Sequence, residues 1–295
     1  MPMCAQSQFI PARTLWQGFN PLGFAKGTFV IFNGYIDESY DNTQNVFTLS
    51  CLVARGKVWD SMERRWKLAI AAKNKELARE GRPQISRYHA SDCSACRGEF
   101  EGWSKDERDA FVINLFQLFK VFPSHTVVFD AQMDDICEVF PEWSFDRLEA
   151  AYHLLTGFVM HQLGRDFAKQ SNGTPVKITL FHEETGSNGK YDPTILRSYN
   201  FQRHDKEFAQ RDYFTTIASL RWEHCIALQP ADLVAFECFK EAQARTESRR
   251  SRKSYKALID MKSFGIHSMS FNPKAIRALR ARMEEQQQLG IIGHD

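Results

Sequence analysis

The fold of this chain is predicted by one segment, Val30-Ile31-Phe32-Asn33-Gly34-Tyr35-Ile36-Asp37-Glu38-Ser39. Its apolar, aromatic and β-branched residues are typical of a buried strand, and the strand ends in two adjacent carboxylates. Because successive side chains of a strand point to opposite faces, at most one of Asp37 and Glu38 enters a shared cleft. A polar turn explains these residues equally well, since Asp37 to Ser39 is also good turn composition.

Length, charge and cysteine content set limits on the class of protein. The chain has 295 residues, with 38 basic and 36 acidic side chains and a net charge of +2, so no global field attracts it to nucleic acid or membrane. No segment is as apolar as a membrane span, and we expect a cytoplasmic protein without a membrane partner. The seven cysteines are scattered, and Cys93 and Cys96 lack the second Cys/His pair of a zinc site.

The remainder of the chain alternates between strand-like and helix-like segments. Strand patterns cover residues 45–53, 125–130, 176–181 and about 212–217, and helix patterns cover residues 59–79, 104–121, 145–168 and 273–288. Residues 186–212 are predicted as a loop with a short charged segment. We therefore predict an α/β fold, a ribonuclease-H-like mixed five-stranded sheet flanked by helices, with helical insertions and a C-terminal helical extension. The predicted boundaries are an N-terminal arm at 1–28, this domain at 29–242, and a basic linker with a C-terminal helix, packing on the same domain, at 243–295.

Acidic residues recur at the predicted strand ends. Asp37 and Asp130 each end a strand, Glu183 and Glu184 follow another, and Asp232 lies at the start of a late helix. In α/β sheets, sites gather where strand ends converge, so these acids are candidates for one cleft. Crowded carboxylates need a counter-charge, and their oxygen ligands suit Mg²⁺ or Mn²⁺, which can activate water for phosphodiester hydrolysis. The helix dipole alone would also account for Asp232.

Three short motifs carry a resemblance to a known family. They are Tyr35-Ile36-Asp37-Glu38-Ser39, Tyr88-His89-Ala90-Ser91-Asp92 and Leu228-Gln229-Pro230-Ala231-Asp232-Leu233. Together they resemble the signature of the bacterial family called domain of unknown function 3800, over most of residues 30–240. The resemblance implies a ribonuclease-H-like fold, metal-dependent nuclease activity, and an association with mobile elements and phage defence.

The resemblance also implies a set of metal ligands. Asp37 would be the central bridging ligand, with Asp232 and Glu183 completing the site. Glu38 is a further candidate ligand. The alternative is that Glu38 simply follows Asp37 on the strand and points to the opposite face. Family members often have Asp near Glu183 and Glu184, and this departure leaves the two glutamates as alternatives for the metal-facing position.

Other residues are expected to support these ligands. The resemblance implies that His89 is a general acid or base, or lies just outside the ligands, since imidazole titrates near neutral pH. A His at this position is also commonly a hydrogen-bonded structural residue. Gln229, about one helical turn before Asp232, would orient that carboxylate or contact substrate. Asp92 and Asp130 are further candidates for such supporting contacts.

The favoured function is a nuclease that hydrolyses RNA or DNA by metal-activated water, with Mg²⁺ or Mn²⁺ as the cofactor. The basic run 245–256 is expected to contact phosphates through Arg249, Arg250, Arg252 and Lys253. Two alternatives remain open. One is a catalytically silent module of this fold that binds nucleic acid or protein, and the other is a phosphoesterase of small nucleotides. A protein partner or a homodimer is a further expectation.

Overall fold

The hairpin that the sequence predicts after residue 29 forms the centre of the sheet. The computed structural model describes residues 30–41, 43, 45–122, 125–171, 174–185, 188–261 and 265–288. The N-terminal arm predicted at residues 1–28 lies outside these ranges.

Six strands are described: β1 (Val30–Asp41), β2 (Val46–Ala54), β3 (His125–Gln132), β4 (Val176–Glu183), β5 (Phe214–Leu220) and β6 (Gly265–Phe271). Their order across the sheet is β5-β4-β1-β2-β3-β6, and among these six β2 alone runs antiparallel to its neighbours. The chain is therefore an α/β protein with a mixed six-stranded sheet. The five-stranded prediction missed β6, an edge strand that is mostly exposed and lacks a continuous apolar run.

The described residues also form nine helices: α1 (Gly56–Arg79), α2 (Ala90–Ala95), α3 (Lys105–Phe119), α4 (Met133–Val139), α5 (Arg147–Gln170), α6 (Asp192–His204), α7 (Leu228–Thr246), α8 (Lys253–Ile259) and α9 (Pro273–Gln288). The loop predicted for residues 186–212 is wrong in part, because α6 lies within it. Pro193 suits the first turn of α6, and Ile195 and Tyr199, four residues apart, bury one side of it. None of the helices described here is long and apolar enough to cross a membrane.

Each face of the sheet packs against its own group of helices. On one face α7 lies across β1 and β2, and the core there includes Tyr35 and Leu52. On the other face α5 contacts β2 and β3 over a separate core that includes Ile36 and Phe129. Alternate residues of β1 therefore point into different cores, as the two-residue period of a strand requires. This alternation fixes which way the acids at the end of β1 point.

A side chain at Gly34, in the middle of β1, would require the neighbouring side chains to move. A β-carbon on Gly34 would lie 2.8 Å from Cδ2 of Leu180 on β4 and 3.1 Å from Sγ of Cys51 on β2. Real contacts of a β-carbon are almost never shorter than 3.0 Å. Gly34 therefore allows the central strands to pack at native density.

Candidate functional site

Asp37 and Glu183 lie side by side where the parallel pairing of β1 with β4 ends, although β1 itself continues to Asp41 beside β2. The register pairs Ile36 of β1 with His182 of β4, so the next positions of the two strands hold the two acids. Neighbouring strands are about 4.8 Å apart. Asp37 points to the α7 face because Tyr35, two residues earlier, is buried there. The parallel pairing thus brings two carboxyl groups to one corner of the sheet.

Asp232 reaches the same corner from α7. Ser50 is the antiparallel partner of Asp37, and its hydroxyl donates a hydrogen bond to the carbonyl oxygen of Ala231 at 3.2 Å. This bond fixes the first turn of α7 over the end of β1. Asp232 follows directly, and its Oδ2 accepts a hydrogen bond from the backbone N–H of Ala90 at 2.8 Å. The three motifs that are far apart in sequence therefore meet in space.

The acids act on one another electrostatically. Burial raises the pKa of Asp37 well above its usual range, and the charges of Asp232, Glu38 and Glu183 raise it further. The pKa of Glu183 is raised to about 8, by burial first and then by Asp232 and Glu38. We call Asp37, Glu38, Glu183 and Asp232 the carboxyl cluster. Asp37 is buried, whereas the other three are half-buried, so the cluster opens to solvent on one side.

Three groups stabilise the ionised form of Asp232. Burial raises the pKa of Asp232, but the charges of His89 and Arg87 and the N–H of Ala90 lower it. The charge of Arg87 also lowers the pKa of Glu183. The motif around residue 88 therefore brings positive charge to the mouth of an acidic site.

Glu38 belongs to the cluster by charge but points away from Asp37. It follows Ile36 on the face covered by α5, where the Tyr152 hydroxyl lies close to its carboxyl. Burial raises the pKa of Glu38 to about 7, and the tyrosine hydroxyl partly opposes this rise. The two groups influence each other without reaching full hydrogen-bond geometry. This position agrees with the strand alternation expected from the sequence.

Glu184 and Asp130 are not brought into the cluster. Glu184 is exposed at the rim, 3.7 Å from Nε of Arg221, which favours Glu183 as the inward glutamate. Asp130 on β3 accepts hydrogen bonds from Nη2 of Arg245 at 2.8 Å and from the hydroxyl of Ser270. It lines a different cavity, of about 380 Å³, near the ends of β3 and β6. Asp130 therefore has a local partner in place of a role beside Asp37.

His89 is held by a second acid. Its Nδ1 lies 2.7 Å from Oδ2 of Asp92, and Nε of Arg97 donates to Oδ1 of the same carboxylate at 2.7 Å. Burial alone would raise the pKa of Asp92, but these two hydrogen bonds and charges lower it. Because the ionised Asp92 can only accept, Nδ1 carries a proton and the ring is oriented by this contact. Asp92 thus supports His89, which in turn acts on Asp232.

Gln229 holds the loop and α7 together. Its Oε1 accepts hydrogen bonds from the indole N–H of Trp66 at 2.9 Å and from the backbone N–H of Tyr88 at 3.0 Å. Gln229 is buried, so both donors would otherwise lose a partner in the core. Gln229 therefore positions the segment that carries His89. This role agrees with the predicted support of other site residues and not with the predicted alternative of direct contact with substrate.

The basic run is divided between surface and core. Arg249 pairs with Glu247 on the surface, and Arg250 and Lys253 are exposed. Arg252 instead lies 3.3 Å from a carboxylate oxygen of Glu237, a residue that is 1% exposed. Arg252 therefore already has a buried acidic partner, and its contact with phosphate stays a prediction.

Sequence reasoning missed three residues near the cluster. Tyr152 is a core residue of an amphipathic helix, and nothing in the pattern of α5 distinguishes its hydroxyl. Arg87 stands next to the second motif, and Trp222 begins a short turn after β5. The available signal was the position of Arg87, two residues before His89 and directly before the second motif.

The donor chemistry of the cluster suits a hard divalent cation, since Asp37, Glu183 and Asp232 meet at one corner of the sheet, where burial and neighbouring negative charge raise the pKa of Asp37 and of Glu183. Within the residues described, no group of three or more His, Cys, Asp or Glu side chains is already arranged to hold a metal ion. Binding would therefore require the half-buried side chains to adjust around Asp37. The fit is one of chemistry and charge.

Comparisons with protein-family models, with curated proteins and with solved structures found no match for this chain.

Proposed function

We propose that this protein is a metal-dependent nuclease that hydrolyses phosphodiester bonds in RNA or DNA. The observation that carries the proposal is the convergence of acids from β1, β4 and α7 on one corner of the sheet, where burial and the charges of Asp232 and Glu183 make Asp37 harder to ionise. A cation bound there would relieve this repulsion, and Mg²⁺ or Mn²⁺ would supply activation of water and neutralisation of charge on the phosphate.

The sheet and the motifs add support of a second kind. The strands β3-β2-β1-β4-β5, with β2 reversed, agree with the ribonuclease-H-like arrangement that the order of elements predicts. The three motifs that resemble domain of unknown function 3800 meet at the cluster through Asp37, Ala90 and Asp232. Membership of that family and a role in phage defence or mobile elements remain part of the proposal.

The residues of the chain have distinct parts in this scheme. Asp37, Glu183 and Asp232 would hold the ions, with Glu38 acting on them from the other face of β1. His89, oriented by Asp92, would exchange a proton at Nε2 with water or with the leaving group. In this scheme the reacting phosphate would lie on the open side of the cluster, next to the half-buried acids.

A catalytically silent binding module is the second candidate. The observation that favours it is that the described acids do not already form a coordination shell. A phosphoesterase of small nucleotides is the third candidate, and it would use the same acids on a shorter substrate.

The test is cleavage of single- and double-stranded RNA and DNA with Mn²⁺ or Mg²⁺ by wild type, Asp37→Asn and Asp232→Asn. We expect wild type to cleave at least one substrate and each variant to lose about 100-fold or more, as is usual when a group that stabilises the transition state is removed. Asp130→Asn is the matched control and should keep its activity. Equal activity in all four proteins would reject the site, and cleavage of mononucleotide esters alone would favour the third candidate.

A further inference from the structure

Arg87 stacks on Trp222 at the mouth of the carboxyl cluster. The guanidinium carbon lies 3.4 Å from the centroid of the indole ring, well within the range of a cation–π contact. Both side chains are half-buried. The contact therefore fixes the plane of the guanidinium without removing it from solvent.

Both partners of this stack are anchored to the cluster through backbone contacts. Arg87 precedes Tyr88, whose N–H is bound by Gln229, and it lies three residues before Ala90, whose N–H is bound by Asp232. Trp222 comes two residues after Leu220, which pairs with Glu183 at the end of β5. The stack therefore spans the gap between the loop and the strand that supply two of the acids.

The guanidinium of Arg87 does not form an ion pair with a carboxylate of the described residues. Among the described residues, none places a carboxylate oxygen within 4.0 Å of it, although Asp92, Glu184 and Glu237 each have an arginine that close. A charge placed only to neutralise the cluster would be expected to form such a pair. A planar guanidinium carries five N–H donors, matches two oxygens of a phosphate, and is the usual choice for phosphate recognition.

We propose that Arg87, held in place by Trp222, binds a phosphate group of the substrate beside the carboxyl cluster. This inference rests on the proposed function and deepens it, because it states that the ligand of the site is a phosphate-bearing chain and names the residue that grips it. Arg87 supplies the positive charge that a polyanion needs to approach four carboxylates. Trp222 is a positioning residue in this scheme, since it holds the guanidinium of Arg87 and prevents it from forming an ion pair with Glu183.

The test separates binding from hydrolysis. Short fluorescein-labelled RNA and DNA, single- and double-stranded, are titrated by anisotropy into the Asp37→Asn protein with Mn²⁺, which keeps the substrate intact. Adding Arg87→Gln to this protein should weaken binding of the preferred probe about ten-fold, as expected for loss of a charge-assisted contact. The slope of log K against log salt concentration should become shallower by about 0.7 to 0.9, the value of one phosphate contact. Arg87→Lys keeps the positive charge but loses the planar, bidentate guanidinium. Its affinity should therefore lie between that of the protein with Arg87 and that of Arg87→Gln.

The control is Arg277→Gln on α9, which removes the same charge from an exposed ion pair with Glu138. It should leave affinity and salt slope unchanged. If Arg87→Gln matches this control, or lowers only the melting temperature without changing the slope, Arg87 is a structural clamp and the proposal fails.

The outcomes also distinguish the inference from the proposed function. Binding that depends on Arg87, together with wild-type protein that cleaves nothing, would reject hydrolysis and keep the phosphate contact. Cleavage and binding that do not depend on Arg87 would keep the nuclease and reject the contact. Absence of binding to all four probes, with no cleavage by wild type, would reject both.

Discussion

Replacing Asp37 by Asn should make the metal-free protein more stable at high pH, which is unusual for a buried polar residue. In the folded protein the pKa of Glu183 is about 8, that of Glu38 is about 7, and that of Asp37 is also raised. In the unfolded chain such groups titrate near pH 4. Between these limits the folded state holds more protons than the unfolded state, so stability falls as pH rises from about 4 through about 8.

The size of the effect follows from the same values. For a carboxyl group whose pKa moves from 4.5 to about 8, as for Glu183, the cost above pH 8 is at most about 5 kcal/mol, at about 1.4 kcal/mol per pH unit. Because water reaches the half-buried acids and screens their charges, we take about 2 kcal/mol as the gain from Asp37→Asn at pH 8. At pH 5 the folded protein keeps Glu38 and Glu183 largely protonated, so the gain should be smaller than at pH 8.

Urea unfolding with EDTA at pH 5 and pH 8 measures this difference. Asp130→Asn is the matched control, since it removes a carboxylate that is paired with Arg245 and Ser270. The control should be neutral or lose about 1 kcal/mol at both pH values. The reasoning is refuted if Asp37→Asn is no more stable than wild type at pH 8, or if its effect is the same at the two pH values.

Three other substitutions test the framework of the site by urea unfolding. Gln229→Leu strands two buried N–H donors and should cost about 3 kcal/mol, and a loss under about 0.5 kcal/mol would show that they find other partners. Arg252→Gln leaves Glu237 without its charged partner and should lower the free energy of unfolding by about 2 kcal/mol. Arg250→Gln, on the surface, should change it by less than about 0.5 kcal/mol. Equal effects of the two substitutions would contradict the buried pair. Gly34→Ala overpacks the central strands and should cost about 2 kcal/mol. A loss under about 0.5 kcal/mol would show that the neighbouring side chains move aside without strain.

The central strands and their acids could be predicted because local pattern and burial agree there. β1, β2, β3 and β4 are apolar runs whose ends are marked by turns or by acids, and the structure places each within a few residues of its predicted bounds. The opposite directions of Asp37 and Glu38 follow from the strand period alone. The packing of α7 against β1, which brings Asp232 towards Asp37, was expected from the convergence of strand ends in α/β sheets and from the resemblance that the motifs carry.

Other features depend on tertiary contacts that no local pattern reveals. β6 is an exposed edge strand that is stabilised by its pairing with β3, and its own sequence has no continuous apolar run that would predict a strand. Asp130 lies near the end of β3 and was predicted to end a strand as Asp37 was, but its carboxylate pairs with Arg245 of α7. Arg252 lies in a run of surface charges and still turns inward to Glu237. In each case the partner is distant in sequence, so composition could not identify it.

Binding of Mn²⁺ followed by electron paramagnetic resonance tests the central claim most directly, because the claim is that acids from β1, β4 and α7 form one site for divalent cations. Titration at pH 8 should show that wild type and Asp130→Asn remove free Mn²⁺ from solution with the same affinity. Asp37→Asn should bind at least about ten-fold more weakly, as expected when the buried ligand is lost. Equal binding by wild type and Asp37→Asn would contradict the account.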